Sequence, residues 1–245
     1  MKKLILSSIL LLIVILSHAQ QTIPYSPSFV AKFAPSSLFF GKIGIATEYN
    51  FKKKKSVTLN IGIPSAYELK QNIDGKDRTL TMKTTSVMAG YRMYMGKRPM
   101  TGFYFEPYVK YVNNTATTNT DFTIAGSTKP FLLSSTYSGV GIGAQLGLQM
   151  MIAKRLVIDW YIIGPEANNS TFELNAKETG NGPAWDATAA ADAKQEIDNF
   201  LSDVPLVGSK TTVTVNSTAK NVNATYKGFL PGFRTGLSIG IRLGK

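Results

Sequence analysis

Two-residue alternation between apolar and mixed side chains, sustained over stretches of about ten residues, limits most strongly how this chain can fold. Ile43, Ile45, Tyr49 and Phe51 alternate with Lys42, Gly44, Ala46, Glu48 and Asn50. Val57, Leu59, Ile61 and Ile63 alternate with Ser56, Thr58, Asn60 and Gly62. The same habit recurs at 84–95, 102–112, 136–152, 155–162 and 233–243. It predicts seven strands, each with one apolar and one mixed face. Each approaches the roughly 9–11 residues with which a tilted strand crosses a bilayer.

Short basic turns join these strands in pairs at 52–55, 96–100 and 153–154. Long polar segments at 68–82, which includes Asp74-Gly75, at 113–135 and at 165–226 join the pairs. Short turns alternating with long loops are the habit of outer-membrane barrels. If both chain ends lie in the periplasm, parity demands an eighth strand before Gly41. Residues 28–34 supply it: Phe29, Ala31 and Phe33 alternate with Val30, Lys32 and Ala34, and Pro35-Ser36-Ser37 turns the chain. The expected fold is all-β, an eight-stranded antiparallel transmembrane β-barrel with a short helix in a long loop before the last strand. The lysine run Lys52 to Lys55 is then a hydrated periplasmic turn, and no nucleic-acid partner is expected. Pro64 and Pro107 cannot donate to a ladder, so each predicts a bulge or a rim position.

The chain begins as an export signal does. Lys2 and Lys3 precede an apolar stretch from Leu4 to Ser17, and Ser17-His18-Ala19 offers small residues for cleavage before Gln20. The expected division is a signal peptide at 1–19 and a barrel domain at 20–245, located in the bacterial outer membrane. The net charge is +12, and losing Lys2 and Lys3 leaves +10, which favours acidic partners. There is no cysteine, and His18, the only histidine, leaves with the signal. Disulfides, thiolate chemistry, His-based triads and most zinc sites are thereby excluded. No enzyme activity, cofactor or metal is expected.

The segments "KFAPSSLFFGKIGIATEYNF", "MAGYRMYMGKRPMTGFYFEPYVKY" and "LPGFRTGLSIGIRLGK" resemble the strand signatures of small outer-membrane β-barrel proteins of the Bacteroidota type. The resemblance spans nearly all of the mature chain and implies architecture without chemistry. The chain departs from that pattern in ending Leu243-Gly244-Lys245 instead of on an aromatic residue, and in placing Glu106 where a glycine would precede Pro107.

A soluble barrel would turn its apolar face inward around a ligand. Here the mixed face holds glycines with Lys, Glu, Arg and Tyr, which suits a narrow polar interior. Counted from the periplasmic turns, Glu48, Arg92, Glu106 and Asp159 share one height, with Tyr94, Tyr104 and Gln149 near them. They predict a salt-bridged plug, since buried charges demand partners. Lys42, Lys110 and Arg234 lie higher with fewer acids. They form either an anion-attracting vestibule or a group that loop acids and water satisfy.

Two motifs fail their structural requirements. Gly236-Leu237-Ser238-Ile239-Gly240 matches a nucleophile elbow but sits within a strand and has no histidine. "GVGIGAQLG" has the wrong spacing for a dinucleotide loop and no following helix pattern. In the insert, 184–204 is helix-prone, with Ile197, Phe200, Leu201 and Val204 on one face and Asp186, Asp192, Glu196 and Asp198 on the other. Pro183 fits its first turn and Pro205 its stop. This helix either caps the barrel mouth or docks a partner. The expected function is a non-enzymatic outer-membrane protein with a structural or surface-interaction role, its lumen plugged by ion pairs. The alternative is a narrow channel or binding barrel for small or anionic solutes. Expected partners are membrane lipids and an extracellular protein or small solute met through the loops.

Overall fold

The computed structural model describes residues 27–73, 76–202 and 210–244. The expected signal peptide, Asp74-Gly75, Val204 and Pro205 lie outside them. Ten strands are found among the described residues: β1 (Ser28–Ala34), β2 (Lys42–Lys52), β3 (Lys55–Pro64), β4 (Tyr67–Ile73), β5 (Lys76–Tyr94), β6 (Gly102–Ile124), β7 (Ser127–Ile152), β8 (Leu156–Glu178), β9 (Thr212–Asn216) and β10 (Asn221–Leu243). One helix, α1 (Ala187–Ser202), lies between β8 and β9. Eight strands form an antiparallel ring in the order β1-β2-β3-β5-β6-β7-β8-β10. Pairing of Phe29 with Leu243 through Phe33 with Ile239 closes it. The expected first strand, 28–34, is the closing strand.

The ring orients its faces as the alternation predicts. Glu48, Arg92, Glu106 and Asp159 are buried within it, while Ile45, Ile61, Val109 and Ile239 are exposed outside. Its lower end carries the tight turns and both ends of the described chain. The run of lysines is shorter as a turn than 52–55, because Lys52 pairs with Lys55 across a bulge and leaves Lys53 and Lys54 at the tip. Buried Asn50 organises it from inside, its Nδ2 donating to the carbonyls of Lys52 (2.7 Å) and Lys55 (3.0 Å). Pro64 ends β3 at the rim of the ring, opposite Lys42. At Pro107 the β5–β6 ladder is interrupted without a bulge: Tyr91 and Arg92 have no β6 partner, and pairing resumes in the same register with Met93 opposite Phe105.

The upper end differs from the expected loops. Residues 113–135 are an uninterrupted hairpin, with Asn113 opposite Ser138 and Ile124 opposite Ser127 around Ala125-Gly126. Both turn residues have positive φ, 49° and 72°, the geometry that a two-residue hairpin turn requires. Residues 68–73 and 76–82, expected as loop, pair with each other as β4 and the start of β5. The insert expected at 165–226 is also shorter, since β8 runs on to Glu178 and β10 begins at Asn221. The reason is physical. Above the belt the outer face turns largely polar and the inner face is apolar only in the patch under α1, so hydrophobic alternation fades while backbone pairing continues.

These extensions build a tall blade on one side of the ring, ordered β4-β5-β6-β7-β8-β10-β9. On the other side, β1 and β2 stop at a 3-10 turn, Pro35–Phe40. Gly41 ends this turn at φ 68°, and a Cβ there would sit 2.7 Å from the Met82 carbonyl carbon. The barrel therefore has one low wall and one high wall.

Helix α1 lies on the face of the blade that continues the lumen. Its Ala189, Ala193, Ile197 and Leu201 are buried against Ile124, Phe131, Leu133, Leu174 and Val222. The expected Phe200 contact is replaced, for Phe200 is 44% exposed and alanines at i, i+4 spacing let the helix approach closely. Helix formation starts later than the expected 184, after Asp186. That residue caps the helix, its Oδ1 accepting from the Ala189 amide at 2.8 Å. Asp192 accepts from the Ala125 amide at 3.1 Å and ties α1 to the β6–β7 turn.

Candidate functional site

The lumen is arranged in three layers. The lowest is apolar: Val30, Met100 and Val157 are fully buried beneath Tyr94 and Tyr104. Met100 comes from the turn at 96–100, which the sequence suggests only as a hydrated basic turn. Its carbonyl accepts from Gln149 Nε2 (3.0 Å) and its sulfur from Ser28 Oγ (3.1 Å). Folding one turn residue inward closes the floor.

Above it lies the charged layer, where the structure brings together all four expected residues. Arg92 reaches Glu106 at 2.7 Å, Asp159 at 2.8 Å and Glu48 at 3.3 Å. Lys32, which the sequence places on the inward face of β1 but not in the cluster, binds Glu48 at 2.6 Å and Asp159 at 2.7 Å. Charge arithmetic was the available signal, because three carboxylates around one arginine require a second cation. Tyr94 donates to Glu48 (2.5 Å), Tyr104 to Asp159 (2.7 Å), Gln145 to Glu106 (2.9 Å), and Thr58 also donates to Glu106. Gln149 Oε1 accepts from both Lys32 and Arg92 at 2.7 Å. The Arg92 guanidinium lies 3.7 Å from the Tyr104 ring centroid. Alternate glycines of β7 make room for the tyrosines, since a Cβ on Gly143 would come 2.6 Å from Tyr108 Cζ. The "GVGIGAQLG" motif is thus a packing device within β7, and Ser238 of the elbow-like motif lies within β10 opposite Asp159.

The third layer is a vestibule of about 430 Å3, lined in part by Lys42, Lys110, Arg234, Glu166, Ser86 and Phe40. All three expected upper cations reach it. A gap of about 20 Å3, near Arg92, Asp159 and Arg234, lies between it and the plug. That is room for about one water. Lys110 pairs with Glu166, which also accepts from Tyr108 at 2.9 Å. Glu166 belongs to the segment read from sequence as insert. An extra residue in β8 near Ile162 reverses its alternation, so Tyr161 below and Gly164 and Glu166 above both face inward. Lys42 donates to Ser86 at 3.0 Å. Arg234 donates to Gln145 at 3.0 Å and lies 4.6 Å from the Tyr161 ring centroid. Among the described residues neither of these two cations has a carboxylate partner.

Helix α1 contributes no residue to the vestibule wall; it closes the blade instead. There Glu178, itself buried, accepts from Trp185 Nε1 (2.6 Å), and pairs with Lys220 (3.2 Å) and Lys129 (3.5 Å). Burial pushes its carboxyl up, but the Trp185 and Lys220 hydrogen bonds and the two ammonium charges outweigh that and hold it below the usual glutamate range. A carboxyl depressed in the folded state adds stability above its unfolded pKa, about 4.3, and loses it as pH falls through the lower folded value. Protease resistance of 187–202 is therefore expected to hold from neutral pH down to about 4.3 and to decline below it. Glu178→Gln should flatten that decline. An unchanged acid profile in the variant would refute this assignment.

No protein-family model matches the chain, and no curated protein is similar to it. Among solved structures it is similar to CarO of Acinetobacter baumannii, with 13% identity, a TM-score of 0.40 and coverage of 88% of this chain and 97% of that one. It is also similar to a major outer membrane protein from Thermus thermophilus, again with 13% identity and a TM-score of 0.40, covering 89% of this chain and all of that one.

Proposed function

We propose that the chain is a closed, non-conducting barrel of the bacterial outer membrane that holds its blade and vestibule toward the exterior, in a structural or surface-interaction role. The observation that carries this reading is the apolar belt. Phe33, Ile45, Ile61, Val87, Val109, Ile142, Trp160 and Ile239 place a large, solvent-exposed apolar side chain on every strand of the ring. Contiguous apolar surface on soluble monomers rarely exceeds a few hundred Å2. In lipid the same belt is stable, because closing the ring leaves no open sheet edge. The floor of Val30, Met100 and Val157, with the ion pairs above it, favours a plug over a channel. Glu106 and Asp159 already hold cations, which favours structural roles for them over acid–base catalysis.

Full-length protein folded into planar bilayers is expected to give no conductance steps, and regular steps would overturn the closed reading. Lys194→Cys, on the exposed face of α1, is expected to react with a membrane-impermeant maleimide in intact cells. Protection of that cysteine would reverse the proposed orientation.

A further inference from the structure

The vestibule holds more positive charge than its walls neutralise. Glu166 is committed to Lys110 and Tyr108, and the acids of the plug to Lys32 and Arg92. Lys42 and Arg234 are left with neutral partners only, Ser86 and Gln145. Lys42 lies close enough to Arg234 and Lys110 to be repelled by both, and the attraction of Glu166 for it is weaker than either repulsion. Half-buried cations in such a setting need water or an anion to balance them. The space for one is present: about 430 Å3, within the range of small-ligand cavities. It is also held open. A Cβ on Gly62 would come 2.7 Å from Lys42 Cδ, so glycine there leaves the lysine stem its place.

Access comes from the low wall. β1 and β2 end at Pro35–Phe40, whereas β6, β7, β8 and β10 run 23 to 26 residues. Phe40 both lines the vestibule and is 56% exposed, and its neighbours Leu38 and Phe39 are exposed beside it. The lip between cavity and outer belt is therefore apolar. Below, the plug bars an exit, so whatever enters must leave by the same route.

We propose that the vestibule is a dead-end binding site for a phosphate-bearing anion, held by Lys42 and Arg234. Two uncompensated cations match the charge of about −1.5 to −2 on a phosphomonoester at neutral pH. A guanidinium suits its oxygens, a lysine supplies a point charge, and the Ser86 hydroxyl, which accepts from Lys42, still has a hydrogen to donate. Met88, Val112 and Phe40 give an apolar body a place to lie. The phosphate has two sources, a soluble phosphate ester or the headgroup of a phosphorylated glycolipid reaching over the lip. Only the second source rests on the membrane reading.

The test is calorimetric titration of the full chain in neutral detergent micelles with phenyl phosphate at low salt. One saturable site per chain is expected, weakening as salt rises, with no binding of phenol. Lys42→Met and Arg234→Gln are each expected to weaken it about tenfold or more, as loss of a charged hydrogen bond implies. The double variant should abolish it, and Lys42→Arg should retain it. Heat-modifiable gel mobility confirms that each variant is folded. Absence of saturable binding in the wild type, or wild-type affinity in the folded double variant, overturns the proposal. Repeating the titration in phosphatidylethanolamine nanodiscs with and without a diphosphorylated glycolipid separates the sources. Competition by the glycolipid assigns the site to a lipid headgroup, and undiminished binding assigns it to a soluble ester.

Discussion

Arg92→Met is expected to destabilise the barrel by about 3–5 kcal/mol, the usual result of removing one partner from a buried ion-pair network. Arg92 contacts Glu48, Glu106 and Asp159, none of which has more than marginal solvent access. Without it, three carboxylates share the single charge of Lys32. Methionine fills much of the volume, so the loss is one of charge balance more than of packing. Urea unfolding in micelles, followed by the shift between folded and unfolded gel bands, measures the effect. Adding Glu106→Gln removes one negative charge and returns the cluster to its wild-type excess of one carboxylate over cations. The double variant is therefore expected to recover about 1 kcal/mol or more of the loss, within the range of coupling between contacting residues. If the double variant is as unstable as Arg92→Met or less stable, uncompensated charge is not the cause.

Such a cluster can be read from sequence because barrel geometry turns residue counting into height. Glu48, Arg92, Glu106 and Asp159 all lie a few residues from a lower turn, and the alternation of each strand around them is regular, the bulge of β2 falling at the turn itself. The ring itself was legible for the same reason, down to the closing strand at 28–34, since an apolar outer face set against a mixed inner face enforces alternation. Legibility ended where that constraint ends. Asn113 to Ser135 pair as regularly as any strand, yet polar residues fill most of both faces, and only Phe122, Ile124, Phe131 and Leu133 near the turn form an apolar patch. Glu166 was hidden by one extra residue in β8, which reverses parity without leaving a mark in composition. Met100 was hidden by its turn, where no periodicity says which side chain folds inward. Helix α1 was visible, but its buried row Ala189, Ala193, Ile197 and Leu201 is weakly hydrophobic at its start. Phe200, the more apolar candidate, faces out.

Trp185→Ala is expected to cost about 3–5 kcal/mol, as truncation of a buried tryptophan generally does, but to spend its effect in the blade alone. Trp185 is buried between β7 and α1, its ring centroid 6.0 Å from that of Phe131 and its Nε1 donating to Glu178. It stands just before the helix cap at Asp186, so losing it frees the chain where α1 begins. The apolar cluster of the blade shares no residue with the floor of the lumen. Units without common contacts open separately. Limited proteolysis of proteoliposomes should therefore cut the variant within 187–202 under conditions that leave the wild type intact, while the urea midpoint of the barrel stays unchanged. Trp185→Phe separates the two contributions, because it keeps a ring against Phe131 and loses only the hydrogen bond to the carboxylate. It should fall between wild type and alanine, with a loss of about 1.5–3 kcal/mol. The converse holds for the plug: Arg92→Met should leave α1 protected for as long as the barrel is folded. Release of the helix by Arg92→Met, or a lowered barrel midpoint in Trp185→Ala, would show that blade and barrel unfold as one unit.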